Sequence, residues 1–481
     1  MSTTTSTELT ARRKLIILGT CCLSLLIVSM DATIVNVALP SIRTDLGASV
    51  SSLQWVIDIY TLVLASLLML AGATADRYGR RRMFQIGLAA FAIGSLACSM
   101  APSVGILIAA RALQAIGGSM LNPVALSIVT QVFTDPKERA RAIGMWGAVV
   151  GISMAIGPMV GGALIDWIDW RAVFWVNIPI CLIALVLTSI FVPESRSPIM
   201  RNIDPIGQVL AVITLAAVVY GLIEGPGHGW TSPLTLLVFA VAIIAFIGFI
   251  AAERHRTDPF IDLRFFASAS FSAATVIAVC AFASWGGFLF LMSLYLQEVR
   301  GLSAVHTGAM LLPPAIAVMI MSPLSGRAVG RFGTRPSLLL ASGAMLIGAL
   351  LMTAFHADTS LIYVGIAFAV FGIGFGSVNA PITTSAVSGM PRERAGAAAA
   401  IASTSRQVGV SIGVALAGGI TGVAVAGIGP DFATSMHPMW LLVAGLSVVI
   451  GILGLISTSA WGKRTSDEVA RTLIQPEHTH V

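Results

Sequence analysis

Charge is what this sequence has least of. Only 10% of its 481 residues are Asp, Glu, Lys or Arg, against 56% hydrophobic ones, a balance that a soluble globular domain of this size does not show. Cysteine is sparse as well. Cys21, Cys22, Cys98, Cys181 and Cys280 all sit inside apolar runs, at spacings that fit neither a metal site nor a disulfide framework. No phosphate loop, metal-ligand cluster or nucleophile elbow occurs, and the histidines fall mainly at ends and loops, which argues against a membrane enzyme or a channel. No metal site is expected, and no bound cofactor. Basic residues nowhere interleave with aromatics, so the net charge of +6 points to no nucleic-acid partner.

What is abundant is long apolar sequence. A helix needs about 18 or more such residues to cross roughly 30 Å of hydrocarbon. Fourteen runs qualify, near 14–40, 53–75, 83–101, 104–132, 139–166, 172–193, 205–224, 234–253, 269–297, 305–329, 335–356, 360–388, 395–426 and 438–461. They are apolar all round rather than alternating, which excludes a β-barrel and leaves helices. The chain opens on polar residues, and its first run is longer than a signal-peptide core and lacks a small-residue cleavage site, so that helix is expected to stay in the protein.

Lys and Arg are retained on the cytoplasmic side during insertion. With both termini on one side, one set of loops holds 23 of the 28 basic residues, among them Arg12, Arg80, Arg81, Arg82, Arg141, Arg201, Arg254, Arg331 and Lys463. The opposite set holds Arg43, Arg171 and Arg300, while Arg111 and Arg406 fall inside runs. Both ends are therefore expected in the cytoplasm of a cell with a bacterial-type inner membrane.

The segment Gly72-Ala-Thr-Ala-Asp-Arg-Tyr-Gly-Arg80 returns 254 residues later as Gly326-Arg-Ala-Val-Gly-Arg-Phe-Gly-Thr334, each copy closing an apolar run on the basic side. A fainter echo pairs Gly117-Gly-Ser-Met-Leu-Asn-Pro123 with Gly374-Phe-Gly-Ser-Val-Asn-Ala-Pro381. The duplication implies an all-α membrane protein of two parallel six-helix bundles, 1–193 and 267–461, with two inserted helices and their linkers at 194–266 and a cytoplasmic tail at 462–481. Charged stretches at 193–198 and 253–259 read as linkers, and the tail from Lys463 as disordered.

The residues at 72–82, ending Arg80-Arg81-Arg82, resemble the loop signature of the major facilitator superfamily. Arg111-Ala-Leu-Gln-Ala-Ile-Gly-Gly118 and Gly151-Ile-Ser-Met-Ala-Ile-Gly-Pro-Met-Val-Gly-Gly162 extend the resemblance, the latter in the manner of antiporters. Asp31-Ala-Thr-Ile-Val-Asn-Val-Ala-Leu-Pro40 and the count of fourteen are similar to the drug:proton antiporter branch, and Trp55-Val-Ile-Asp58-Ile-Tyr60 to members that export quaternary ammonium compounds, biguanides and dyes. The resemblance implies a monomeric multidrug exporter, driven by the proton gradient, for hydrophobic or cationic small molecules. A dedicated exporter of one antibiotic or metabolite is the alternative, and a nutrient symporter a more distant one. The second half has no acid deep in its helices, so export of divalent cations is not expected.

Asp31 lies seventeen positions beyond Lys14, which at about 1.5 Å per residue places it in the outer half of the bilayer. A carboxylate there costs at least roughly 2.5 kcal/mol unless it is paired, hydrated or protonated. Asp58 and Arg111 reach similar depth, so Arg111 is expected to hold Asp31 or Asp58 ionised, coupling proton and substrate; a static packing pair is the plainer reading. Asp76 and Arg77 flank a turn that needs Gly79, and with Gly72 and Arg80 they would form a conformational latch, Asp76 capping a helix of the other half; mere anchoring by the arginines is the alternative. Gly147, Gly151, Gly157, Gly161 and Gly162 offer a small face and Pro158 a bend beside the interface of the halves, unless they serve ordinary close packing. Trp55, Tyr60, Trp285, Phe288, Met292 and Arg406 are the candidates for a substrate cavity. Phe290 and Tyr295 add aromatic surface in the ninth run, and Arg406, placed near the inner third of its helix, either snorkels to the cytoplasm or faces the cavity.

Overall fold

A computed structural model of the chain describes residues 10–196, 204–256, 261–422, 428–429 and 431–474. Arg201, the ends of both linkers at 197–203 and 257–260, the last residues of the run 395–426, and 475–481 of the tail lie outside the described residues. The described backbone is almost entirely helical: α1 Ala11–Leu46, α2 Val50–Tyr78, α3 Arg80–Ser99, α4 Val104–Val132, α5 Pro136–Trp167, α6 Ala172–Phe191, α7 Pro205–His228, α8 Pro233–Arg254, α9 Ala269–Val299, α10 Ala304–Phe332, α11 Thr334–Met352, α12 Leu361–Val387, α13 Arg392–Ile420, α14 Phe432–Ser457 and α15 Ala460–Ile474. Thirteen of them are long and apolar enough to cross a membrane. α13 spans 29 residues and is the fourteenth; Ser403, Thr404, Ser405, Arg406 and Gln407 make it the most polar of the set.

Local chemistry sets the helix ends. Side chains of Ser49, Ser103, Asp135, Asp204, Ser232, Ser268 and Ser303 accept hydrogen bonds from the first free amides of α2, α4, α5, α7, α8, α9 and α10. α2 and α10 stop at Gly79 (φ 111°) and Gly333 (φ 78°), which are equivalent positions of the two loop copies. Both adopt backbone that a side chain disfavours, so the duplication read in the sequence is a duplication of turns.

The first six helices pack on one another, as do α9–α14, and α7 pairs with α8. Small residues allow the close approach that membrane helices need in place of a hydrophobic drive. A Cβ on Gly94 would fall 2.5 Å from Gln114 backbone, and one on Gly374 2.6 Å from Met345 N. α7 lies against both α2 and α13, where Leu62, Val219, Ile223 and Ala415 form a separate apolar cluster. The hairpin therefore straps the seam between the halves as well as linking them. Outward faces such as Leu236, Leu237, Ile243, Ile244 and Ile247 of α8 are apolar and exposed, as a lipid-facing helix requires.

The tail corrects the sequence reading. Instead of disorder from Lys463, α15 runs to Ile474, and Gly462, Ser466, Val469 and Leu473 form its inner face at helical spacing. Ser466 Oγ lies 2.9 Å from Ser268 Oγ, and Thr465 Oγ1 accepts from Ala269 N at 3.1 Å. The segment is polar on average, and this rather than any lack of helical periodicity makes it read as disordered.

Close packing at Gly94 generates a first expectation. Gly94→Leu forces atoms into the α4 backbone, an overpacking that costs about 1–3 kcal/mol or more, and lowers the unfolding midpoint of the purified protein by several degrees. Gly144→Leu, where nothing lies within 4 Å, leaves it within a degree or two; a scanning-fluorimetry comparison of the two checks this.

Candidate functional site

Asp31 is fully enclosed in the first bundle. Its carboxylate accepts from Arg111 Nη1 at 2.5 Å, Gln114 Nε2 at 2.9 Å and Asn177 Nδ2 at 3.2 Å. Arg111 in turn donates through Nε to Val56 O at 3.2 Å and lies 4.1 Å over the Tyr60 ring, and Gln114 Nε2 reaches Ser95 Oγ at 2.8 Å. One ion pair thus draws in α1, α2, α3, α4 and α6. Of the two partners expected for Arg111, the geometry selects Asp31.

Asp58 stands apart. It is fully buried on the α2 face that meets α13, with the hydroxyls of Ser411 and Thr61 as its polar neighbours, and neither carboxyl oxygen makes a hydrogen bond of good geometry to them. One turn away, Gln54 Nε2 donates across the seam to Val414 O at 2.5 Å and Ala415 O at 3.0 Å. The acid therefore lies on the closed seam between the halves.

Between the halves is a cavity of about 160 Å³, lined among others by Thr33, Asn36, Tyr60, Trp285, Phe375 and Gln407, with Arg111 on its wall. Trp285 and Phe375 stack at 4.3 Å and 6°. Two sequence candidates are corrected here. Phe288 and Met292 have no exposed surface and pack into the second bundle, Phe288 lying 4.9 Å from both Phe368 and Phe371; the cavity-facing side of α9 carries Trp285 and Leu289 instead. Phe290 and Tyr295 are likewise enclosed, Tyr295 donating to His356 O. Trp55 is the third correction: it points to the inserted α7, giving its indole N–H to Glu224 at 2.8 Å and lying 6.1 Å from Tyr220. Arg406 stands midway along α13, half-buried, with Nη2 on Oγ1 of the exposed Thr383 at 2.6 Å, one turn from the end of α12, and its guanidinium 5.9 Å from the Phe282 ring that lines the cavity.

The halves are bonded at the end remote from the arginine-rich loops. Arg43 Nη1 meets Glu298 at 2.6 Å, Ser293 donates to Asn36 O at 2.5 Å and Gln297 to Val37 O at 3.0 Å. Asp166, at the end of α5, accepts from Ala304 N at 3.1 Å and Val305 N at 2.9 Å, the first amides of α10. The glycine segment makes this possible: Gly157 and Gly161 sit on α1, Gly162 abuts Ala304, Pro158 O faces Gly308, and Gly151 lies 3.6 Å from Met319. At the arginine-rich end the loop stays within its own half. Asp76 pairs with Arg80 at 2.9 Å, Arg80 reaches Gln131, Arg81 N donates to Glu194, Arg77 lies along Tyr78, and Gly72 packs on Pro123. In this conformation Asp76 caps no helix of the other half; Asp166 does that at the opposite end.

Sequence reasoning missed Gln54, Gln114, Asn177, Glu224 and Asp166. Gln114 was legible as a polar residue three positions after Arg111, hence on its face; Asn177 and Asp166 carry no such spacing signal.

Among relatives, this chain is 40% identical to the multidrug resistance protein Stp of Mycobacterium tuberculosis over 83% of its own length and 74% of that protein's. It is 37% identical to the tetracenomycin C resistance and export protein of Streptomyces glaucescens, covering 84% and 76%, and 34% identical to the multidrug efflux pump LfrA of Mycolicibacterium smegmatis, covering 87% and 82%. Solved structures with the same fold include a D-xylose–proton symporter, with a TM-score of 0.66 at 14% identity over 92% of this chain and 97% of that one. A bacterial homologue of the lysosomal transporter Spinster, inward-facing and occupied, gives 0.62 at 17% over 96% and 98%. The Major Facilitator Superfamily model matches residues 21–414, and the chain belongs to that family.

Proposed function

We propose that this protein is a proton-driven exporter of small hydrophobic drug-like compounds, a carrier and not an enzyme, with both termini and the open end of its cavity in the cytoplasm. Drug and antibiotic export by the relatives supports the substrate class. The orientation follows from the crowding of arginines at the open end. The observation that carries the coupling is Asp58, a fully buried acid with no basic partner among the described residues and only the Ser411 and Thr61 hydroxyls beside it, on a seam that must open and close.

A bare carboxylate enclosed there is untenable, whereas the neutral acid is tolerated. Asp58 therefore holds its proton while the outer seam is shut. Losing that proton toward the cytoplasm, as substrate fills the cavity, makes the closed seam unfavourable and drives the halves apart on the outside. Substrate leaves there, Asp58 takes a proton from the more acidic exterior, and the seam closes again. Each cycle exchanges substrate outward for a proton inward. Asp31 acts differently: it compensates Arg111 and holds Arg111 and Tyr60 in the cavity wall, so substrate contact reaches it through Arg111. The cavity is small for a polyspecific pump, and this favours a narrow antibiotic or metabolite exporter as the second reading.

Three outcomes are expected. In inside-out vesicles at matched expression, Asp58→Asn abolishes substrate-induced dissipation of the pH gradient, at least tenfold, without loss of substrate binding; unchanged proton flux removes Asp58 from the coupling step. Arg111→Ala leaves a buried carboxylate unpaired, which costs about 3–5 kcal/mol, and Asp31→Asn with Arg111→Gln recovers most of the lost thermal stability. Asp166→Asn weakens a charge-to-helix contact worth about 0.3–2 kcal/mol and shifts spin-label distances between the outer ends of α5 and α10 toward the separated state by about two- to thirtyfold in population.

A further inference from the structure

The charges around the cavity are unequal. Arg111 is neutralised by Asp31; neither Asp58 nor Arg406 is itself a lining residue, Asp58 standing behind Ile57 and Thr61 on the closed seam and Arg406 behind Phe282 and Gln407. Arg406 has no such counterpart: among the described residues no carboxylate lies within ion-pair distance of it. The acids of the second bundle, Glu298, Asp358, Glu393 and Asp431, stand at helix ends and in loops. Its guanidinium donates to Thr383 and, at 3.4 Å, to Ser403, while its Nε–H is buried without a partner. Its Cα lies fourteen residues, about 21 Å, from the start of α13, and its side chain extends to Thr383, one turn from the end of α12.

A deep guanidinium without a counter-charge is a binding site by default. Its surroundings say for what. Phe282, under the guanidinium, and the stacked Trp285 and Phe375 belong to one connected set of rings, the Phe282–Phe375 centroids being 5.0 Å apart. Phe282, Trp285, Phe375 and the adjacent Gln407 all line the cavity. A flat ring lying along this surface would bring an oxygen on its edge toward the guanidinium behind Phe282, whose charge favours a carboxylate or phenolate over a neutral carbonyl. A permanent cation would be repelled by Arg406 from behind the Phe282 ring, with no carboxylate among the lining residues to offset the repulsion.

We propose that the cavity selects planar aromatic compounds bearing an acidic or carbonyl oxygen and disfavours permanent cations, with Arg406 as the residue that determines this. The inference rests on the exporter reading only in placing substrate in this cavity, and it turns the cationic preference implied by the family resemblance around.

Three compounds sharing one ring system test it: acridine-9-carboxylate, acridone and N-methylacridinium, each titrated into the purified full-length protein in neutral-lipid nanodiscs and read by dye fluorescence. The carboxylate and acridone are expected to bind at least tenfold more tightly than N-methylacridinium. Arg406→Gln should weaken the carboxylate at least tenfold and acridone less, Arg406→Lys should restore part of the carboxylate's advantage, and Arg406→Glu should reverse the order. N-methylacridinium binding as tightly as acridone in the wild type, no binding by any of the three, or an order unaffected by Arg406→Gln in a variant that keeps its unfolding midpoint would each overturn the proposal. Binding needs no gradient, so the two readings fail separately. The expected order without proton-coupled export counts against the exporter alone, and the reverse order with export intact counts against the role of Arg406 alone.

Discussion

The pairing of Asp31 with Arg111 is the contact on which the first bundle is organised. Neither group can stand alone in hydrocarbon, and neither can be satisfied by the other only; Gln114, Asn177, Ser95 and the Val56 carbonyl supply the remaining hydrogen bonds. Because the pair and those partners come from five helices, the pair fixes how the helices sit around it. It also fixes the Tyr60 ring and one wall of the cavity. A buried ion pair is weak evidence of net stability, and here its value is positional.

Around that rigid half, the two bundles meet along three seams. α1 meets α9, α2 meets α13 and α5 meets α10, and the hydrogen bonds across each are few and gathered toward one end. Backbone amides and carbonyls supply much of that bonding, at Val37, Ala304, Val305, Val414 and Ala415, so separation exposes groups that water can satisfy. Glycines at 162 and 308 bring the backbones into contact there. The arrangement resists opening by several small contacts rather than one large one, which suits a seam governed by the ionisation of a single acid.

Much of this was legible in the sequence because the bilayer constrains sequence strongly. Apolar runs located the membrane helices, and the repeated loop segments gave the internal duplication and its turn glycines, since a turn at positive φ admits little else. Asp31, Asp58 and Arg111 stood out as charges where charge is expensive. The partner choice among them was not legible: depth along the bilayer is a single coordinate, and which acid faces Arg111 depends on helix rotation. The same limit misplaced Trp55, Phe288 and Met292, which share the right depth and point elsewhere. Asp166 escaped notice because its role exists only when two distant segments meet. The α15 helix was hidden by its polar average composition, although its apolar residues recur at helical spacing.

In the proposed cycle, one acid, Asp58, carries the transported proton and the other, Asp31, stays ionised against Arg111. Infrared difference spectroscopy of the membrane-embedded protein, with and without bound substrate, separates the two directly. A protonated-carboxyl band that disappears on substrate binding, is absent in Asp58→Asn and persists in Asp31→Asn is the predicted result. The same band surviving in Asp58→Asn and vanishing in Asp31→Asn would contradict it and move the proton to the ion pair.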